Sequence, residues 1–495
     1  MIPTEGTKLA GTFSVPPGMN VYGELTLSGD KSTLYLQDQG VFDPLSVAGG
    51  CVGGALNDLT KVTLVRCIPL TGLGSANRGA ERYHFATLFP HFVVFGSDHF
   101  VPTEQSIAEV HFTLDDATTL FYDFDAFGSV INASPLIETV VKANALPRQI
   151  EIGPHPQIFY FTGKMEIISV DTVFGKVSVS HRPSSSLGGP SGVGVRNTIF
   201  VSVAPHDPIT FDEAFSRANT LLRYLGMLVG RKQNLLSLSV RTKHLQDPPF
   251  PPFLQVYSAM SPKKTPDEEQ KPHVADILMD AVRSPEEFSR VLAGWLNRQE
   301  QWGDARFRFF GSFGKQNQYD PDRLVASANM FDVLPASAVP PDVPLSDELK
   351  AARDLSVKAF SKLPESPERD SVLSALGRIG KCSLKRKVRH RAQYVTAAVP
   401  RRFPDLLLVT DQAVNCRNFY VHGNETAIDY ATNPDLLPFF VDVLEFVFAA
   451  SDLIEAGWNL AAWCAHDSTL SHPFARFRID YARRLRGLKT VLASN

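Results

Sequence analysis

Residues 405–423 read Asp405-Leu-Leu-Leu-Val-Thr-Asp-Gln-Ala-Val-Asn-Cys-Arg-Asn-Phe-Tyr-Val-His-Gly423. Apolar residues fill the first turns, and neither proline nor glycine interrupts the run. The stretch predicts one helix from Asp405 to about His422, stopped by Gly423, because glycine accepts the left-handed backbone that ends helices. The last turns of that helix carry a guanidinium, Arg417, and an imidazole, His422.

The same reading extends outward. A further helix is expected from Asn433-Pro434 to about Glu455, followed by Gly457. Its stretch Leu436–Ile454 is the most apolar in the chain, but Pro438, Asp442, Glu445 and Asp452 break it, so it reads as a buried helix and not a membrane span. Upstream, Ser346 and Ser366-Pro367 are helix starts, as is Ser284-Pro285-Glu286-Glu287 with its cap, proline and early acid. Residues 316–490 are therefore expected as an all-α bundle. Proline-rich breaks at Pro335–Pro344 and at Pro248, Pro249, Pro251 and Pro252, with the polar stretch Ser261–Pro272, mark residues 246–315 as a linker and helical connector.

Residues 1–245 have a different period. Leu25 and Leu27 alternate with polar neighbours, as do Leu34 and Leu36, Val110 and Phe112, and Val177 and Val179. Period two with glycine and proline between the runs predicts many short antiparallel strands, a sandwich or barrel, with a possible break near 145–155. Pro183–Gly194 reads as a loop. One helix is expected at the end of this half, from the capping pair Thr210 and Glu213 along the stripe Phe211, Ala214, Ala218, Leu221, Leu225 and Leu228 to Gly230, packed on the sheet. The fold class is thus α+β and multidomain, with a sandwich-like β-rich N-terminal half and a helical C-terminal half.

Composition narrows function. At 495 residues the chain is too long for one ordinary domain, and a net charge of −3 gives no bulk attraction for polyanions. The five cysteines are scattered without any Cys-x-x-Cys, which argues against a disulfide framework and a structural zinc site. No metal and no cofactor is expected; His466, Asp467 and His472 lack a recognisable ligand spacing. Gly72–Gly79 lacks the Gly-Lys-Ser/Thr of a phosphate-binding loop. No basic stretch followed by an apolar run opens the sequence, so the expectation is a cytoplasmic protein without membrane association.

Arg417 and His422 suit RNA cleavage without a metal. That reaction needs a base for the ribose 2′-hydroxyl, a cation for the phosphate and an acid for the leaving 5′-oxygen. Histidine titrates near neutrality, and arginine offers a planar fork that stays charged. Asn418 adds an uncharged donor and acceptor. Five residues on a straight helix are about 140° apart, so the pair is splayed unless the helix end, arginine's reach or a second subunit closes the gap. Similar spacings occur at Arg78 and His84 and at Arg148 and His155, in glycine- and proline-rich surroundings; only Arg417 follows a long apolar helix and precedes asparagine. The bland reading is a surface arginine with a helix-end histidine that complements the helix dipole.

A basic run precedes this site. Arg378, Lys381, Lys385, Arg386, Lys387, Arg389, His390 and Arg391 occur with no acid between Asp370 and Asp405. Lys385, Arg386, Lys387, Arg389 and Arg391 are candidates for RNA phosphates, against the alternative of a solvated helix face. Tyr420 is a candidate for stacking on an unpaired base, whereas Phe419 reads as core or interface. Arg476, Arg478, Arg483, Arg484 and Arg486 form a second cluster that reads as a solvated helix.

The segment Arg417-Asn-Phe-Tyr-Val-His422 resembles the R-N-x-x-x-H signature of the HEPN superfamily. Leu376–Val388, Tyr319–Val325 and Asn329-Met330-Phe331 resemble the preceding segments of the ApeA-type HEPN proteins, and Gly11–Pro17, Gly23–Leu27, Gly53–Leu56 and Phe85–Phe89 resemble their N-terminal half. One departure is that Asp411 is the only acid of the motif helix after its start. The resemblance implies an anti-phage, abortive-infection ribonuclease that cuts RNA, with tRNA among the candidate targets. It also implies a site formed at a homodimer or higher homo-oligomer interface, and an N-terminal half that senses a phage-derived trigger or restrains the nuclease. Two alternatives stay open: a catalytically silent HEPN scaffold that binds nucleotide or RNA, and a β-sandwich ligand binder with a helical oligomerisation domain.

Overall fold

The computed structural model describes residues 5–16, 18–43, 50–144, 150–186, 190, 192–243, 253–260, 271–342, 344–423 and 428–494. The prolines at 248–252, Arg148, most of Ser261–Pro272 and part of the 183–194 loop lie outside the described residues. The chain divides into two compact units, Met1–Ala293 and Gly294–Asn495.

The first unit is built on strands β1 (Lys8–Val15), β2 (Met19–Thr26), β3 (Thr33–Asp38), β4 (Cys51–Leu56), β5 (Lys61–Pro69), β6 (Gly74–Arg78), β7 (Glu81–Gly96) and β8 (Ile107–Leu114). They are followed by β9 (Phe127–Ile131), β10 (Gln157–Phe161), β11 (Glu166–Thr172), β12 (Gly175–Ser185), β13 (Val195–Ala204), β14 (Leu235–Thr242) and β15 (Leu254–Ser258). All but β9 and β10, which pair with each other, belong to one sheet in the order β11-β12-β13-β8-β14-β15-β7-β3-β2-β1-β4-β5, with β6 paired to β7 off this path. Strand β5 also pairs with β7, from Lys61↔Gly96 to Pro69↔Leu88. That pairing closes β7-β3-β2-β1-β4-β5 into a six-stranded barrel. Of the two forms that the alternation allows, sandwich or barrel, this part of the sheet takes the barrel.

The alternating residues meet inside it. Phe13, Val21, Leu25, Leu34, Leu36, Val52, Val62 and Leu64 are all fully buried. Gly54 stands opposite Phe13, and a Cβ there would fall 2.5 Å from the phenyl ring, so the large residue is accommodated by the missing side chain. Beyond the barrel, helix Phe211–Val229 forms as its sequence pattern predicts. Thr210 and Glu213 cap each other reciprocally, and Gly230 closes the helix at φ 88°. Phe211 and Phe215 set their rings edge-on to Phe92 of β7.

The first two hundred residues are not strands alone. Helix Ser134–Ala143 interrupts them, starting on Ser134-Pro135 and burying no residue. Proline in the first turn favours a helix start, and Leu136, Ile137, Val140 and Val141 recur at helical spacing, a signal that the strand reading passed over.

The second unit is helical. Its described helices are Gln299–Phe313, Pro321–Asp332, Asp347–Ser361, Pro367–Gly377, Leu384–Ala398, Leu406–His422, Leu436–Glu455, Leu460–Ala465 and Pro473–Ser494. The boundary between units falls within helix Pro285–Asn297, and Gln299–Phe313 belongs to the second unit. Ser346 and Ser366 cap their helices as expected, each accepting from the backbone N–H three residues on.

Helix Leu436–Glu455 is the axis of the unit, with 15 of its residues buried. All four acids on it have arginine partners, Asp442 receiving Arg484. Glu445 receives Arg323, Asp452 receives Arg306 and Arg298, and Glu455 receives Arg391 and Arg298. Buried carboxylates need such partners to remain ionised. The acids that break the apolar run are therefore the points at which neighbouring helices are keyed to the axis. No helix among the described residues is long and apolar enough to cross a membrane.

Candidate active site

The motif helix Leu406–His422 buries Leu406, Val409, Thr410, Ala413, Val414 and Cys416. It ends on Gly423 at φ 65°, whose N–H returns to the Phe419 carbonyl at 2.9 Å. The buried side anchors the helix, and the last turn carries its polar groups outward.

Arg417 and His422 meet within one chain. Arg417 Nη1 lies 3.3 Å from His422 Nε2, so the splay of a straight helix is closed by the reach of the arginine. A dimer is not needed to bring this pair together. Because guanidinium only donates, Nε2 supplies the lone pair, which places the imidazole proton on Nδ1 when His422 is neutral. Nη1 also donates to Asn418 Oδ1 at 3.1 Å, and Nη2 donates to Asn329 Oδ1 at 2.8 Å. Among the described residues no carboxylate pairs with Arg417. Arg417 and Asn418 are half-buried and His422 is exposed, so the imidazole edge is open to solvent.

The basic run forms helix Leu384–Ala398, capped by Ser383. Its side chains do not make one free cationic face. Lys385 Nζ and Arg389 Nε lie 3.6 and 3.3 Å from the Asp411 carboxylate on the motif helix. Arg386 donates to the Pro341 carbonyl, and Lys387 to the Asp332 carbonyl. Arg391, expected at the RNA face, is fully buried, with Nη1 and Nη2 on Glu455 at 2.9 and 2.8 Å and Nε on Ser451. Its charge is consumed inside the helical unit, and it drops out of the set that can meet a phosphate. The C-terminal cluster is similarly divided. Arg478 is buried on the Trp463 and His466 carbonyls, and Arg484 pairs with Asp442.

Tyr420 and Phe419 are exposed and lean together, with ring centroids 5.1 Å apart over Tyr430. Tyr430 is itself buried and supports them from below. Burial pushes the Cys416 thiol up to about 12, so it stays protonated beneath the site.

Sequence reasoning missed two participants. Asn329 lies on helix Pro321–Asp332, far from the motif in sequence, and no local pattern couples it to Arg417. In the sequence Asp411 is only a lone acid; the structure turns it to Lys385 and Arg389 of the basic helix.

A β-rich unit followed by a helical unit whose motif helix ends in Arg417 and His422 defines a HEPN-domain protein. The pattern of ApeA N-terminal domain 1 matches residues 8–295, and that of the Apea-like HEPN domain matches residues 325–461. The chain belongs to the family of ApeA-type HEPN anti-phage proteins. No curated protein and no solved structure matches it.

Proposed function

We propose that the chain is a metal-independent endoribonuclease that acts as an abortive-infection effector, with Arg417 and His422 as catalytic residues. The observation that carries the reading is the Arg417–His422 pair at an exposed helix end, with a guanidinium that no described carboxylate neutralises. Neutral His422 takes the proton from the ribose 2′-hydroxyl at Nε2 once Arg417 turns to the phosphate. The 2′-oxygen then bonds to phosphorus while the bond to the 5′-oxygen breaks. Arg417 holds the charge on the equatorial oxygens, and a protonated imidazole returns a proton to the 5′-oxygen. A 2′,3′-cyclic phosphate and a 5′-hydroxyl result.

A homodimer or higher assembly would supply the second imidazole, so that base and acid come from two copies of the motif. Asn418 orients the arginine, Tyr420 offers a stacking face for an unpaired base, and Lys385, Arg386, Lys387 and Arg389 supply phosphate contacts. RNA, tRNA among the candidates, is the substrate, and the β-rich half senses a trigger or restrains the nuclease. The test is purified protein with RNA in EDTA, wild type beside His422→Ala, with the product ends identified. Cyclic phosphate ends from wild type alone support the reading. Cleavage of DNA or of 2′-O-methyl RNA, where the internal nucleophile is absent, overturns it.

A further inference from the structure

We propose that Asn329 is a positioning residue for Arg417, holding the guanidinium through an uncharged acceptor so that its full charge remains for the phosphate. The inference rests on the reading of Arg417 as the phosphate-binding group. Asn329 Oδ1 accepts from Arg417 Nη2 at 2.8 Å, the shortest of the three contacts that hold this guanidinium. Arginine cannot accept a hydrogen bond, so the amide oxygen must face it and the amide N–H donors are turned elsewhere.

The helix that presents Asn329 is firmly keyed. Arg323, earlier on Pro321–Asp332, sends Nε and Nη2 to the two oxygens of Glu445 at 3.0 and 2.9 Å. Ser327 Oγ reaches the same carboxylate, and Phe331 sets its ring edge-on to Phe448. Asn329 therefore offers a fixed point against which a long, rotatable side chain is held. With Nη2 on Asn329 and Nη1 toward Asn418 and His422, the guanidinium plane is defined from two sides.

The chemistry of the acceptor matters. Carboxylates hold three of the four described buried arginines of this unit: Glu445 holds Arg323, Asp452 holds Arg306 and Glu455 holds Arg391, while Arg478 donates to the Trp463 and His466 carbonyls. Arg417 instead has amide acceptors from Asn329 and Asn418. A carboxylate would bind the guanidinium more tightly but cancel the charge that an anionic substrate requires. The nearest acid of the motif helix, Asp411, is turned to Lys385 and Arg389.

Asn329→Asp separates positioning from gluing. If Asn329 merely joins two helices, aspartate serves as well or better. If it must leave the cation uncompensated, Asn329→Asp keeps or raises the melting temperature while kcat/KM for cleavage falls about tenfold or more. Asn329→Ala should fall between Asn329→Asp and wild type, because it frees the arginine without neutralising it. The experiment uses the full chain, a single-stranded RNA for rates and its 2′-O-methyl counterpart for binding. Asn329→Asp should weaken binding of the uncleavable strand as Arg417→Ala does. If Asn329→Asp binds and cuts like wild type while Arg417→Ala fails, the positioning role is wrong and the reading of the arginine stands. If Arg417→Ala itself binds and cuts normally, or wild type neither binds nor cuts, that reading falls and the inference falls with it.

Discussion

Arg323 and Glu445 form a two-pronged ion pair inside the helical unit, with both side chains about as buried as the phenylalanines around them. Glu445 also accepts from Ser312 Oγ at 2.6 Å and Ser327 Oγ at 3.2 Å. Breaking such a pair strands a charge. Arg323→Met should cost about 3–5 kcal/mol, whereas replacing both partners with apolar residues should cost less. Thermal or urea melts of the full chain that follow the helical unit's transition check this. A single variant as stable as wild type would show that the pair contributes nothing. Because Arg323 keys the helix that carries Asn329, the single variant should also lose cleavage activity.

Asp442 gives the same unit a pH dependence. It accepts from Tyr319 Oη at 2.8 Å and from Arg484 Nη1 at 2.9 Å, yet burial pushes its carboxyl up from 3.8 to about 6, against the pull of the Arg484 guanidinium. Between those values the folded chain holds a proton that the unfolded chain has released. The stability from this group is therefore complete below the lower value and is lost as pH rises through about 6. Asp442→Asn does not titrate. The stability of wild type relative to Asp442→Asn should fall by up to about 3 kcal/mol as pH rises from acid to neutral, and then level off. Melting curves of the two proteins across that range decide it, and a difference that rises with pH contradicts the assignment.

Asp411 and the basic helix offer a test of RNA contact. Lys385 and Arg389 are each nearly half exposed, and the Asp411 carboxylate lies between them and the motif helix. Asp411→Asn should release both cations, tighten RNA binding and steepen the log–log salt dependence. The change should approach about 0.7 for each added contact with a single strand. Reversing Lys385, Arg386 and Arg389 to glutamate should do the opposite. If neither variant moves the slope while both fold normally, the run is a solvated face.

Much of this architecture is legible in local sequence because its causes are local. Thr210 with Glu213, Ser346, Ser366 and Gly423 cap or end helices through groups within one turn, so short patterns suffice. The barrel's closure is different. Strands β5 and β7 alternate in the same way in a sandwich and in a barrel, and only their mutual pairing chooses between them. Arg391 looks like its neighbours in the basic run, yet Glu455 on another helix draws it into the interior. The splay of Arg417 and His422 is correct for their backbone positions and fails for their functional ends, because arginine's chain is long enough to cross the gap. Asn329 stands in a stretch that matched the family's pattern, but its contact with Arg417 is a tertiary fact.

The motif itself carries the most direct prediction. Arg417→Ala and His422→Ala should each abolish RNA cleavage and any growth arrest on expression, with little change in folding. The physical reason for the second clause is position. His422 is exposed, Arg417 is half-buried near the helix end, and neither lies in the apolar core, so truncation opens no large cavity. Removing a donor that stabilises transition-state charge costs about a hundredfold to a thousandfold in rate, and losing the general base costs at least about a hundredfold. Arg417→Lys should fail nearly as badly, since an ammonium cannot make the forked phosphate contact or reach Asn329 and Asn418 together. Asn418→Ala should be milder, because Asn329 still holds the other side of the guanidinium. Melting temperatures of all four variants should stay within a few degrees of wild type. If the arginine and histidine variants unfold, or cut RNA at the wild-type rate when folded, the motif is structural and the ribonuclease reading is wrong.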